Sequence, residues 1–219
     1  MNLSKNVKNM SEQQNESIIS SLWNLWTGER PSTEHEAILN ACFLACMDHG
    51  KEPPSAQVTR IVASCGKPLA DSVAAGFLTL GPRHGNAGSA ASEWIRENLV
   101  AKRSAGEVAD TVLTEKKRLP GLGHPVYETD PRTTMLYEIS KQHLKATPHF
   151  DFALEVSRQM TEKKGKALPL NVDGALGAIM ADLDVPSDLA DALFIAARII
   201  GLIAQAREES ASSQSYRRG

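Results

Sequence analysis

The chain has 219 residues, of which 42% are hydrophobic, so it is long enough to bury one substantial core. Its 24 Lys and Arg residues are balanced by 26 Asp and Glu residues, and the net charge of -2 gives no electrostatic reason to expect a nucleic acid or a membrane surface as partner. No apolar run approaches the roughly 18 residues of a membrane span, and no signal-peptide pattern opens the sequence, so we expect a cytoplasmic protein.

The first part of the chain predicts a mobile segment followed by two helices. Residues 1–15 are polar and aperiodic, which predicts a flexible arm. Apolar side chains then recur at helical spacing until Gly28 ends the first helix. A capping box formed by Thr33 and Glu36 predicts the start of the second helix, which ends at Gly50.

The rest of the chain repeats the helical period in segments separated by Gly and Pro. Nowhere does an alternation with a period of two persist, so we predict an all-α fold. Cys42, Cys46 and Cys65 have helical surroundings and no CxxC spacing, and we expect reduced core residues. Residues 210–219 predict a flexible tail. The further helices are predicted near residues 55–65, 68–80, 87–102, 106–118, 131–146, 150–164, 172–182 and 187–208.

Four breaks between the predicted helices carry polar side chains beside glycine, where a ligand has room to approach the backbone. They contain His49, His84, His124 with Arg132, and Asp173. Each residue alone has a structural explanation, such as a helix cap or a turn, and a helical interaction protein with structural histidines is an alternative. Together they supply a base, hydrogen-bond donors and a cation for a carboxylate, which favours an acid/base enzyme.

Three of these breaks, "GPRHGNAG", "PGLGHPVYETDPR" and "NVDGALG", resemble in this order the catalytic segments of the citrate synthase family. The resemblance covers about residues 18–209 and implies a citrate-synthase-like helical fold that lacks most of the N-terminal region of full-length citrate synthases. It divides residues 16–209 into a core lobe, about 16–86 plus 172–209, and a small lobe, about 87–171. Short forms of this kind are similar to citryl-CoA lyases and to the citryl-CoA lyase module of ATP-citrate lyase.

The resemblance implies cleavage of citryl-CoA, or of a related 3-hydroxy-3-carboxyacyl-CoA, to acetyl-CoA and oxaloacetate. Asp173 would exchange the proton of the weakly acidic thioester α-carbon, and His84 would hydrogen-bond the developing enolate oxygen as a neutral imidazole. His124 would take the proton of the tertiary hydroxyl group. This chemistry implies no metal and no tightly bound cofactor, only a coenzyme A thioester and a small di- or tricarboxylate. By resemblance, the residues that bind the free carboxylates are His49, Arg132 and Arg198.

Two segments would bind coenzyme A by the same resemblance. Glycines in the first permit a close approach of the adenine side. Lysines in the second would meet the phosphates, although a solvated helix end explains them equally well. The first segment comprises Pro120, Gly121, Leu122 and Gly123, and the second contains Lys163, Lys164 and Lys166.

The family resemblance further implies a homodimer or a higher homo-oligomer. The C-terminal helix and the segment "SVAAGFLTL" would form the interface, and an arginine of the tail, Arg217 or Arg218, would complete the partner's site. Two residues depart from the family pattern, Asn86 where Gly is common and Pro125 where Arg or Ala usually follows the histidine. Proline fixes φ and lacks an N–H, so it stiffens the loop and removes a ligand cation.

Two other functions are compatible with the same residues. A citrate or 2-methylcitrate synthase would run the reaction in the condensing direction. A non-catalytic CoA-binding or regulatory subunit would keep the fold and pair with a longer partner. Since binding alone does not need an acid/base set, the presence of His84, His124 and Asp173 together favours an enzyme.

Overall fold

The computed structural model describes residues 16–212. Within that range the chain forms ten α-helices and three isolated β-bridges but no β-strand, which confirms the predicted all-α fold. The helices are α1 (Ile18–Thr27), α2 (Thr33–Met47), α3 (Pro54–Ser64), α4 (Leu69–Phe77), α5 (Gly88–Val100), α6 (Ala105–Thr114), α7 (Pro131–His143), α8 (Pro148–Lys164), α9 (Val172–Asp182) and α10 (Asp188–Ala211).

The start of α2 differs from its prediction by one residue. The N-cap is Ser32, whose hydroxyl accepts a hydrogen bond from the backbone N–H of His35, so the predicted capping box of Thr33 and Glu36 is wrong. Glu36 instead accepts a hydrogen bond from the hydroxyl of Ser17, the N-cap of α1. The two helix starts are thereby joined through one carboxylate.

Helix α9 lies at the centre of the core. Nine of its eleven residues are buried, most of them small or aliphatic. Small residues allow close packing on α5, since a Cβ atom built on Gly177 would lie 2.6 Å from the carbonyl oxygen of Gly88. The first turn of α9 is equally tight, because a Cβ on Gly174 would lie 2.5 Å from the carbonyl oxygen of Gly121. This packing fixes the position of Asp173 next to the turn that precedes His124.

Helix α10 is long and apolar enough to cross a membrane by length and composition, so the expectation that no segment approaches such a length is wrong. More than half of its most apolar window, 56%, is buried inside the protein, where α10 packs on α2, α3, α4, α5 and α9. Its apolar character is therefore that of a core helix. Helix α10 also continues to Ala211, so residues 210 and 211 are helical and do not belong to a tail.

Of the other predictions, the one for the cysteines is confirmed in part, and the remaining ones are not tested by the described residues. Cys42 and Cys46 are buried, as predicted, but Cys65 is exposed because it lies beyond the last turn of α3. The predicted arm at residues 1–15 and the tail beyond residue 212, with Arg217 and Arg218, lie outside the described residues. The division into a core lobe and a small lobe stays a prediction.

Candidate active site

The four polar breaks meet at one cavity of about 740 Å³. Its wall combines the loop after α2, the loop before α5, the loop before α7, the start of α9 and the middle of α10. A helical interaction protein with scattered structural histidines predicts no such convergence, so the structure contradicts that alternative. The residues expected to catalyse the reaction or bind substrate that line this cavity are His49, His84, His124, Arg132, Asp173 and Arg198.

The loop that carries His84 is closed by two backbone hydrogen bonds between Gly81 and His84, at 3.0 and 2.8 Å. The ring nitrogen Nε2 of His84 lies 2.9 Å from the hydroxyl of Ser55 and accepts the backbone N–H of Ser55 at 3.4 Å. Because Nε2 accepts an N–H, the ring proton belongs on Nδ1. Burial, and then the charge of Arg198, lower the pKa of His84. His84 is therefore a neutral hydrogen-bond donor.

His124 has the opposite tautomer. Its Nδ1 accepts the backbone N–H groups of Val126 and Tyr127, both at 3.1 Å, so the proton of the neutral ring belongs on Nε2. Burial lowers its pKa; nearby, Asp130 raises it and Arg132 lowers it. In this conformation Nε2 is a donor. Accepting a proton there requires a tautomer that gives up both backbone hydrogen bonds.

Pro125 occupies the first position of the turn that holds this ring. Its fixed φ directs the next two N–H groups back toward His124, and its own missing N–H is not needed, because Val126 and Tyr127 provide the donors. Asn86, the other departure from the family pattern, is not among the residues that line the cavity.

Asp173 lies in the first turn of α9 but does not cap the helix. The N-cap is Asn171, which accepts the N–H of Gly174 and donates its amide to the carbonyl of Gly123 at 2.9 Å. Oδ1 of Asp173 is buried and has no hydrogen-bond partner among the described residues. Burial, and next the charge of Asp191, raise the pKa of Asp173 to about 6. Such a carboxyl group exchanges protons near neutral pH.

The two arginines have different surroundings. Arg132 binds the buried carboxylate of Asp130 through Nε at 3.0 Å and a terminal nitrogen at 2.7 Å, so much of its charge is already paired. Arg198 is 3% exposed, and its Nε donates to the carbonyl of Cys46 at 3.0 Å. Among the described residues no hydrogen bond engages its two terminal amino groups. Arg198 is thus a buried cation that faces the site and does not snorkel to the surface.

His49 and Tyr127 complete an aromatic wall around His124. The ring of His49 meets that of His124 edge-on at 5.7 Å, and Tyr127 stacks on His124 at 4.6 Å. Burial, and then the charges of Arg132 and Arg198, lower the pKa of His49 to about 4, so its ring is neutral at pH 7. Tyr127 was not among the residues predicted from sequence. Its position three residues after His124 in a polar, glycine-rich break was the available signal.

The segments expected to bind coenzyme A lie in different places. Gly123 lines the cavity, whereas the backbone of Gly121 accepts the N–H of Asn171 at 2.9 Å and that of Pro120 accepts the indole N–H of Trp94 at 3.0 Å. Leu122 forms a β-bridge to Leu170. The residues that are not among those lining the cavity are Pro120, Gly121, Leu122, Lys163, Lys164 and Lys166.

The three lysines gather at the C-terminal end of α8. Lys163 forms an ion pair with Asp110 of α6, and Lys163 and Lys164 lie in the last turn, where cations stabilise the helix dipole. Their role toward phosphates stays a prediction. Among residues 16–212, no group of three or more His, Cys, Asp and Glu side chains is arranged to hold a metal ion.

These features define a class of site: two neutral histidines of opposite tautomer, a carboxyl group with a raised pKa and a buried guanidinium suit acid/base chemistry on a carboxylate-bearing substrate. The chain belongs to the citrate synthase family, since the family model for the citrate synthase C-terminal domain matches residues 1–218. This confirms the family predicted from the three sequence segments.

Individual proteins agree with that assignment. The structure of citryl-CoA lyase from Hydrogenobacter thermophilus is 35% identical, with a TM-score of 0.84 over 94% of this chain and 80% of that one. An ATP citrate lyase variant from Methanosaeta concilii in complex with (3S)-citryl-CoA has the same fold, with 22% identity and a TM-score of 0.88 over 95% of this chain and 37% of its own.

A longer curated relative matches at the sequence level. ATP-citrate synthase beta chain protein 1 of Arabidopsis thaliana is 30% identical over 203 residues, which is 85% of this chain. The chain spans about a third of the length of that relative, 33%. The family and these neighbours indicate an enzyme that cleaves or forms a carbon–carbon bond.

Proposed function

We propose that the protein is a citryl-CoA lyase, which cleaves citryl-CoA or a related 3-hydroxy-3-carboxyacyl-CoA to acetyl-CoA and oxaloacetate. The observation that carries the proposal is the pairing, in one cavity, of the His84 Nδ1–H donor with the Asp173 carboxyl group of raised pKa. The likeness to citryl-CoA lyase from Hydrogenobacter thermophilus supports the cleaving direction.

The cleavage is a retro-Claisen reaction. The hydroxyl proton of the substrate leaves to Nε2 of His124, the carbon–carbon bond breaks, and its electron pair moves to the thioester, whose carbonyl oxygen becomes an enolate. The Nδ1–H group of His84 stabilises that oxygen, and the protonated carboxyl group of Asp173 then delivers a proton to the methylene carbon. The products are oxaloacetate and acetyl-CoA.

The free carboxylates of the substrate would meet Arg198, the terminal amino group of Arg132 that Asp130 does not hold, and the neutral ring of His49. Arg198 supplies the largest unpaired positive charge to the buried part of the cavity, so we assign it the strongest share of carboxylate binding. No metal or tightly bound cofactor takes part in the proposed steps; the coenzyme A thioester is the substrate.

One observation favours the condensing direction as a second candidate. In the described conformation His124 presents Nε2–H, which suits polarisation of the keto oxygen of oxaloacetate better than acceptance of a hydroxyl proton. A citrate or 2-methylcitrate synthase would polarise the keto oxygen of bound oxaloacetate with this tautomer, without rearrangement at that stage. Cleavage requires the 125–127 turn to release Nδ1.

We also propose a cytoplasmic homodimer. An apolar groove between α4 and α10 lies on the surface, and a second copy of this chain would cover it. Several apolar side chains at this surface are partly exposed, among them Leu69 at 46% and Ile203 at 37%. The groove is lined by Leu69, Ala70, Val73, Ala74, Phe77, Ile199 and Ile203.

Product analysis of the purified protein with citryl-CoA tests the proposal. Release of acetyl-CoA together with oxaloacetate is the expected result. Free coenzyme A with citrate would identify a hydrolase, and release of coenzyme A from acetyl-CoA or propionyl-CoA plus oxaloacetate would identify a synthase. Binding of coenzyme A without any turnover would identify a non-catalytic subunit.

A further inference from the structure

Helix α10 holds the segment 46–50, which carries His49, through three positions on one of its faces. Positions 198, 201 and 205 are spaced by one and two helical turns, so their side chains point the same way. Along α10, these three positions contact three successive residues of the segment, 46, 47 and 48. The contacts are Arg198 Nε to the Cys46 carbonyl at 3.0 Å, Gly201 against the Met47 carbonyl, where a Cβ atom would lie at 1.8 Å, and Gln205 Nε2 to Asp48 Oδ1 at 3.0 Å.

Gln205 contacts both neighbours of His49. Its amide nitrogen donates to Oδ1 of Asp48 at 3.0 Å and to the carbonyl oxygen of Gly50 at 3.4 Å. The side chain of Gln205 is almost fully buried, with 6% of the residue exposed, whereas Asp48 and Gly50 are exposed. The side chain of Asp48 and the backbone of Gly50, on either side of His49, are therefore tied to one amide group.

The orientation of that amide is set by Arg60. A terminal nitrogen of Arg60 donates to Oε1 of Gln205 at 2.8 Å, and a guanidinium offers donors only, so the oxygen of the amide faces Arg60 and its nitrogen faces the segment 46–50. Arg60 is itself buried and pairs with Glu209 at 2.6 Å and Glu208 at 3.0 Å. A flipped amide would set N–H against N–H.

We propose that Gln205, oriented by Arg60, is a positioning residue that holds His49 against the cavity. His49 lies edge-on to the rings of His124 and Tyr127, at 5.7 and 6.0 Å, and a small displacement of its loop would change the distance from His49 to a bound carboxylate. The assignment of that carboxylate to citryl-CoA rests on the proposed function. The position of His49 in the free protein does not depend on the proposed function.

The substitution Gln205→Glu separates the hydrogen bond that the amide accepts from Arg60 from the two that it donates to Asp48 and Gly50. A carboxylate keeps an acceptor for Arg60 but replaces the N–H donor with an oxygen that faces Asp48 and the carbonyl of Gly50, so the segment 46–50 is repelled. We expect KM for citryl-CoA to rise about tenfold while kcat changes less than threefold, because a ground-state contact is lost. The paired variant Asp48→Asn/Gln205→Glu restores a donor–acceptor pair and recovers KM.

A second readout does not depend on activity. In the ¹H–¹³C spectrum of the free protein, we expect His49 to titrate near 4, because burial and then the charges of Arg132 and Arg198 lower its pKa to about 4. When the segment moves outward in Gln205→Glu, the midpoint rises toward the ordinary 6.5. The variant His49→Asn assigns the signal. If Gln205→Glu does not fold, Gln205→Met keeps the volume, removes all three hydrogen bonds and shifts the midpoint in the same direction.

The results separate this proposal from the proposed function. A wild-type protein that turns over no citryl-CoA overturns the function, whereas a shifted His49 midpoint in Gln205→Met, which adds no charge, still supports the positioning role. An unchanged midpoint in a folded Gln205→Glu or Gln205→Met protein overturns it. So does a paired Asp48→Asn/Gln205→Glu variant that folds with wild-type stability but keeps the displaced midpoint.

Discussion

Nε2 of His84 lies 2.9 Å from the hydroxyl of Ser55 and accepts its backbone N–H, so the histidine caps the N-terminus of α3. A protonated ring would set an N–H against the free N–H groups and the positive end of that helix. The contact therefore keeps His84 neutral and leaves its Nδ1–H for a substrate oxygen. The sequence offers no sign of this pairing, because 29 positions separate the two residues.

Removing the donor tests the role of His84. We expect His84→Ala to lower kcat by roughly 10²–10³, since one donor to a developing oxyanion contributes about that much. Ser55→Ala, which keeps the backbone N–H, should lower kcat less than tenfold. Steady-state kinetics with citryl-CoA compare the two variants. Equal activity of His84→Ala and the wild type would remove His84 from the mechanism.

The pH dependence should reveal the direction of catalysis through Asp173, whose pKa is raised to about 6. Cleavage needs the protonated carboxyl group, so its kcat should fall as pH rises through about 6. Condensation needs the carboxylate, so its kcat should rise over the same range. Rates measured from pH 5 to 8 in both directions check this. A flat profile across pH 6 in both directions would contradict the assignment.

Asp191 should set part of that pKa. Its Oδ1 accepts the N–H groups of Gly88 and Ser89 at 2.9 and 3.1 Å, and its charge raises the pKa of Asp173. Asp191→Asn keeps an oxygen for both N–H groups and removes the charge, so the limb assigned to Asp173 should move to lower pH. Asp191→Glu, which retains the charge, is the matched control. A limb that stays in place in Asp191→Asn would assign it to another group.

The same burial predicts an effect on stability. Since the folded-state pKa of Asp173 lies above the ordinary 3.8, ionisation disfavours the folded state, and stability falls as pH rises from about 4 to about 6. Asp173→Asn removes that cost, so at pH 7 its free energy of unfolding should increase by about 1–3 kcal/mol while kcat falls at least 10³-fold. Urea unfolding at pH 7 and pH 4 measures the difference, which should shrink at pH 4. If Asp173→Asn were less stable than the wild type at pH 7, burial of the ionised Asp173 carboxylate would not destabilise the folded protein.

The helices and the residues of the cavity could be predicted from sequence because glycine and proline mark the breaks. The tautomers of His84 and His124 could not, since each depends on backbone N–H groups placed by the fold. Cys65 was misjudged because it is the C-cap of α3, where the residue is exposed although it continues the helical pattern. The pairing of Arg132 with Asp130 was also missed, although the two residues are separated by a single proline.

Pro125 should act through the tautomer of His124. Proline restricts the turn whose next two N–H groups bind Nδ1, and its replacement increases the freedom of the unfolded and unbound loop. We expect Pro125→Ala to raise kcat for cleavage about two- to fivefold, because cleavage requires the turn to release Nδ1 of His124, with little change in the melting temperature. Nitrogen chemical shifts of the His124 ring measure the tautomer directly and should show a smaller fraction protonated at Nε2. A tautomer unchanged in Pro125→Ala would mean that Val126 and Tyr127 hold the ring without help.

The apolar groove between α4 and α10 predicts the effect of a charge at the proposed subunit interface. Val73 and Ile203 both line it, and a carboxylate at either position would be buried without a partner when a second copy covers the groove. We expect Ile203→Glu to convert a dimer into a monomer in sedimentation equilibrium, whereas Val126→Glu, at a residue 77% exposed on the loop before α7, should leave the dimer intact. Because α10 also carries Arg198, the monomer should lose activity together with association. A wild-type protein that sediments as a monomer at micromolar concentration would contradict the proposed dimer.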